Sequence, residues 1–127
     1  MMSNVVLDSS AILALLADEP GADIVRVTLP GALLSAVNLA EIVAKLSERG
    51  MPAAEAASLV DAIGVEVVEF DVTQAVRSGA LRSSTCSAGL SLGDRACLAL
   101  ADVRGLTALT ADTAWSQLDI ANIKLIR

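Results

Sequence analysis

The segment Asn4–Leu16, NVVLDSSAILALL, constrains this chain more than any other. Val5, Val6 and Leu7 are aliphatic with no polar alternation, the pattern of a strand buried on both faces of a parallel sheet. Ile12, Leu13, Leu15 and Leu16 then recur at helical spacing, which predicts a helix folded back onto that sheet. Between the two runs stand one carboxylate, Asp8, and the pair Ser9-Ser10. Asp8 is therefore expected at the carboxyl end of a buried strand, the edge at which open α/β sheets build their sites. The competing assignment is local, with Asp8 or Ser9 doing no more than capping the helix.

The same alternation recurs along the chain. Pro20-Gly21 ends the first helix, and Ala22–Leu29 reads as a second. After Pro30-Gly31, Ala32–Ser35 is a short apolar strand. Val37–Arg49 is a strong amphipathic helix closed by Gly50, and Ala53–Ile63 is an alanine-rich one ended by Gly64. Val65–Phe70 is the clearest strand, β-branched and partly alternating. Asp71 or Thr73 begins a helix that reaches Leu81–Arg82. Ser83–Gly89 is small and polar, and reads as a loop. Leu90–Val103 is helical, Thr107–Thr110 a strand, Ala111–Trp115 a turn and Ile123–Ile126 a last strand. Strands alternating with helices predict a three-layer α/β/α sandwich on a mainly parallel sheet, with right-handed crossovers. The 127 residues are expected to form a single domain, 1–127, without repeats or linkers.

Composition excludes several chemistries. There is no histidine, which removes Ser–His–Asp triads and histidine-ligated zinc together. Two cysteines, Cys86 and Cys97, make neither a structural zinc site nor a disulfide framework, and Cys97 reads as a small core residue. No apolar run reaches the ~18 residues of a membrane span. The N-terminal sequence lacks a basic leader region, so the cytoplasm is the expected compartment.

Four acids stand in informative places. Asp8 and Asp112 follow strands, whereas Glu41 and Asp94 lie in early helical turns. In a doubly wound sheet all four share one edge. Each also has a local explanation. Glu41 can pair with Lys45 at i+4, Ser91-x-x-Asp94 is a capping box, and Asp112 can be a turn residue. Four converging carboxylates repel one another unless cations bind. Oxygen ligands without His or Cys suit one or two Mg²⁺ or Mn²⁺ ions. The net charge is −6, from 15 acids and 9 bases, which by itself opposes nucleic-acid binding. With these four acids neutralised the remainder is nearly balanced. Lys45, Arg77, Arg82 and Arg95 are candidates to hold a phosphate nearby, against the alternative of solvated surface charge.

The ordered motifs VVLDSSAILALL, SAVNLAEIVAKL, LSLGDRACLALA and ALTADTAW resemble a PIN-domain ribonuclease of the VapC toxin type across essentially the whole chain. The resemblance implies a PIN sandwich, metal-dependent hydrolysis of RNA by activated water, and a metal site on Asp8, Glu41, Asp94 and Asp112. It implies supporting polar roles for Ser10, Asn38 and Thr110. It also implies a VapB-type antitoxin and a toxin homodimer, for which the apolar faces of Ala22–Leu29 and Ala53–Ile63 are the candidate surfaces. One Phe and one Trp leave little for base stacking, so a folded RNA read by shape is expected. The Ser83–Gly89 loop is a candidate border of the groove. Two alternatives stand beside this reading. One is a non-catalytic PIN scaffold that binds protein. The other is a receiver-like phosphotransfer domain, which lacks here a second acid beside Asp8 and the expected lysine. A haloacid-dehalogenase phosphatase needs an Asp where Ser10 stands.

Overall fold

The computed structural model describes residues 4–118 and 122–127. Within them lies a five-stranded, all-parallel sheet in the order β3-β2-β1-β4-β5. The strands are β1 (Val5–Leu7), β2 (Leu33–Ser35), β3 (Glu66–Val68), β4 (Thr107–Thr110) and β5 (Ile123–Leu125). The chain winds outward from β1 through β2 to β3, then returns to place β4 on the other side of β1. The crevice between the ends of β1 and β4 is thus a topological switch point. Its register is continuous, with Val5, Val6 and Leu7 opposite Thr107, Ala108 and Leu109.

Seven α-helices are present among the described residues: α1 (Ser9–Leu16), α2 (Ala22–Thr28), α3 (Ala36–Glu48), α4 (Ala53–Ile63), α5 (Val72–Ala80), α6 (Arg82–Thr85) and α7 (Leu92–Arg104). Alternation along β1 divides the core. Leu7 points into a cluster with Ala11, Ile12, Val25, Ile42 and Val60 from α1–α4. Val6 points into a second cluster with Cys97, Leu98, Leu100 and Trp115. Helix α7 buries an unbroken run from Ala96 to Ala101, which is why its sequence carries little amphipathic signal. Gly21 (φ 97°) is required where it stands, since a Cβ there would lie 2.7 Å from the carbonyl oxygen of Ile126.

Two segments depart from the sequence expectation. Val65–Phe70 forms a strand only at Glu66–Val68, at the sheet edge and largely exposed. Its β-branched residues suit a pleated surface, but its only ladder partner among the described residues, β2, is itself three residues long and pairs along its whole length. Ser83–Gly89 is not an open loop. Thr85 Oγ1 donates to the Leu81 carbonyl at 2.7 Å, and α6 continues into a 3₁₀ turn at Cys86–Ala88. Helix α5 buries the polar Gln74 and Ser78 while Val72 and Val76 are 79% and 69% exposed. The helices expected to mediate dimerisation bury part of their apolar faces inside the chain, while Val27 of α2 stays 79% exposed. Ala22 and Val25 of α2, and Ala56 and Val60 of α4, are buried within the chain's own core.

Candidate metal centre

Asp8 occupies the N-cap position of α1, yet its side chain makes no capping bond. Its Oδ2 accepts instead from Ser10 Oγ at 2.7 Å and Thr110 Oγ1 at 3.0 Å. Each hydroxyl has one proton, and both are directed at this carboxylate. Their lone pairs accept the N–H groups of Ala111 and Asp112, each at 3.0 Å. Ser10 and Thr110 therefore bind Asp8 to the turn that carries Asp112. The other oxygen of Asp8, Oδ1, is buried without a hydrogen-bond partner. Burial, reinforced by the charges of Asp94 and Glu41, pushes the pKa of Asp8 up to about 6 against the two hydroxyl bonds.

Asp94 and Asp112 keep the local roles their sequence positions suggest. Ser91 N donates to Asp94 Oδ2 at 2.9 Å, and Asp94 N donates to Ser91 Oγ at 3.2 Å, a complete capping box. Asp112 caps the 3₁₀ turn Thr113–Gln117 by accepting from Ala114 N at 3.0 Å. Partial burial raises the pKa of Asp94, opposed by the Ser91 bonds, with Glu41 and Asp112 adding repulsion. Glu41 does not form the expected pair with Lys45. Among the described residues neither joins an ion pair. Glu41 Oε1 accepts from Ser9 Oγ and from Asn38 Nδ2, each at 2.9 Å. Asn38 is fully buried, and its amide also donates to the Gly93 carbonyl at 3.0 Å.

These groups border one open cleft of about 410 Å³. Its walls carry Asp8, Ser9, Ser10, Glu41, Lys45, Asp94 and Asp112, with Glu48 as a fifth acid. Glu48 lies two turns beyond Glu41 on α3 and is visible in sequence only as an i+7 repeat. Ser9 and Gly93 are further contributors, and they show themselves only through contacts distant in sequence. Three of the four candidate phosphate-holding bases lie elsewhere. Arg77 Nε pairs with Asp102 at 2.6 Å, Arg95 Nη1 donates to the Ser78 carbonyl at 3.1 Å, and Arg82 is exposed on α6. Lys45 alone of the four borders the cleft. Cys97 is buried near the acids, and burial followed by their charges raises its thiol pKa well above the usual value.

Among the described residues, no three His, Cys, Asp or Glu side chains form a ready-made cation cage. The acids are instead drawn to local donors around an open volume. Mg²⁺ keeps several waters and binds through one or two carboxylates, so an open cleft of this kind is compatible with it. The unpartnered Oδ1 of Asp8 is the donor such an ion fits first.

A PIN-domain family model matches residues 5–121. This chain belongs to the PIN-domain family. It stands among the VapC ribonucleases. Ribonuclease VapC42 of Mycobacterium tuberculosis and VapC ribonuclease Mb2780c of Mycobacterium bovis are each 33% identical to it, over 91% of this chain and 95% of theirs. The PIN fold is shared with a DNA-bound VapBC complex from Salmonella typhimurium, at a TM-score of 0.75 and 17% identity over 100% of both chains. It is shared also with Mycobacterium tuberculosis VapC20, a sarcin–ricin loop cleaving toxin, at 0.73 and 18% over 93% of this chain and 98% of that one. PIN membership sets aside the receiver-like reading. No helix among the described residues is long and apolar enough to cross a membrane.

Proposed function

We propose that residues 1–127 are one catalytic PIN domain, an endoribonuclease toxin that hydrolyses RNA phosphodiester bonds with Mg²⁺ or Mn²⁺ and is restrained by a VapB-type antitoxin. The observation that carries this reading is the cleft at the β1–β4 switch point, lined by four candidate acids and floored by a buried carboxylate oxygen without a partner. Asp8, Asp94 and Asp112 would hold the ion, directly or through water, with Glu41 as a further ligand or as the group that orients the attacking water. A divalent ion here supplies neutralising charge and lowers the pKa of water at neutral pH. Ser10 and Thr110 hold Asp8 from below, and Asn38 holds Glu41. Lys45 receives a substrate phosphate at the rim. With little to stack on, the cleft selects a folded RNA by backbone and shape. A second copy of the chain completes the resting assembly, with the antitoxin covering the cleft.

The test is cleavage of total cellular RNA by wild-type protein and Asp94→Asn, with Mg²⁺, Mn²⁺ or EDTA. Metal-dependent cleavage that is lost in the folded variant supports the nuclease reading. No cleavage, together with no Mn²⁺ binding, leaves a protein-binding scaffold in its place. Indiscriminate cutting of unstructured RNA would remove the shape-selection part alone.

A further inference from the structure

We propose that Gly93 is a positioning residue for the Glu41 carboxylate, its missing side chain setting where Glu41 stands in the cleft. The inference deepens the nuclease reading and rests on it for its catalytic meaning. Gly93 is the second residue of α7 and is buried. It does not have the positive φ that calls for glycine elsewhere in this chain. Inside a helix glycine is a poor choice, less favourable than alanine, so backbone geometry gives no reason for it here.

The reason lies across the interface with α3. A Cβ on residue 93 would overlap the Glu41 carboxyl carbon and both of its oxygens. Glu41 is confined from its other sides as well. Ser9 Oγ and Asn38 Nδ2 both donate to Oε1. The same Asn38 amide donates to the Gly93 carbonyl, so one buried side chain fixes the carboxylate and the peptide it rests against. The group a Cβ meets is the end of a flexible side chain, not backbone. A Gly93→Ala change therefore displaces Glu41 and leaves α7 in place.

This separates positioning from packing. Four proteins are compared: wild type, Gly93→Ala, Glu41→Asp and the double variant. The readouts are the thermal midpoint in EDTA, Mn²⁺ affinity by calorimetry, and the NMR resonance of the residue-41 carboxyl carbon. Gly93→Ala is expected to stay folded with a midpoint within a few degrees of wild type, the helix gain of alanine opposing the lost Ser9 and Asn38 bonds. It is expected to shift the residue-41 carboxyl resonance, and to bind Mn²⁺ about tenfold more weakly, the scale at which supporting groups tune metal sites. Glu41→Asp withdraws the carboxylate by one methylene. Adding Gly93→Ala to it is then expected to change affinity less than about twofold, because interacting sites are not additive. An unshifted residue-41 carboxyl resonance in Gly93→Ala overturns the proposal. So do affinity losses that multiply in the double variant, or a loss that comes only with a midpoint lowered by more than those few degrees. If wild type binds no Mn²⁺ and cuts no RNA, the nuclease reading fails, and the carboxyl resonance still decides whether Gly93 positions Glu41.

Discussion

Asp8 and Asp94 face the same cleft, yet the fold holds them in opposite ways. Asp8 forms the floor, 2% exposed, with one oxygen held by two hydroxyls and the other without a partner. Asp94 forms the rim, half-buried, and both halves of its capping box bind it to the helix it begins. At the rim, the bonds that place the acid also stabilise α7. On the floor, placement and stability conflict, because a charge at the end of a buried strand is under-solvated. One site thus draws on two kinds of residue, one that the fold needs and one that it tolerates.

The largest expected effect lies on the floor. Asp8→Asn should lower RNA cleavage by more than about a hundredfold, beyond the scale at which supporting residues tune metal sites. In EDTA at pH 7.5 it should melt no lower than wild type. A destabilised Asp8→Asn would erase the contrast with the rim. The pH dependence sharpens it further. The folded pKa of Asp8 is about 6, above its ordinary 3.8, so its contribution to stability is present at low pH and lost as pH rises through 6. From pH 7 to pH 5 in EDTA, wild type should gain about 1 kcal/mol relative to Asp8→Asn in urea titrations. Parallel pH profiles for the two proteins would contradict that.

At the rim the sign reverses. Asp94→Ala should lose cleavage and also about 1 kcal/mol of stability with its half of the capping box. Ser91→Ala should lose a similar amount of stability while leaving the Asp94 carboxylate in the cleft. The smallest effect is expected at Asp112→Asn. The amide oxygen can still accept from Ala114 N, so stability should stay within about 0.5 kcal/mol while cleavage falls. A large stability loss there would show that the charge, not the cap, holds the Thr113–Gln117 turn.

The floor was half legible from sequence: the aliphatic run placed Asp8 at the end of a buried strand, but capping explained it equally well until the bonds from Ser10 and Thr110 showed that its side chain does not cap. The order of the elements and the shared edge of the four acids followed from the alternation of strand and helix. What escaped were contacts between residues distant in the chain. The Glu41–Lys45 spacing suggested a pair, but Ser9, 32 positions earlier, takes the carboxylate together with Asn38, the supporting residue that the resemblance had implied. Arg77 and Arg95 carry the charge a phosphate needs, yet packing of α5 on α7 engages both. No local pattern announces Gly93, because its role is to leave room for a side chain 52 positions earlier. The Ser83–Gly89 segment read as a loop from its small polar residues, and those same hydroxyls bond back to the preceding turn.

The two hydroxyls beneath Asp8 also set a timetable. Thr110 lies 102 residues beyond Asp8, and 100 beyond Ser10. Strand β1 leaves the ribosome early but does not meet β4 until most of the chain has been made. Such distant pairing is slow to form, and domains emerge from the N-terminus first. A nascent chain that stops short of Thr110 carries Asp8, Glu41 and Asp94 without the strand that draws the floor together. The floor of the cleft is therefore completed only once β4 has been made.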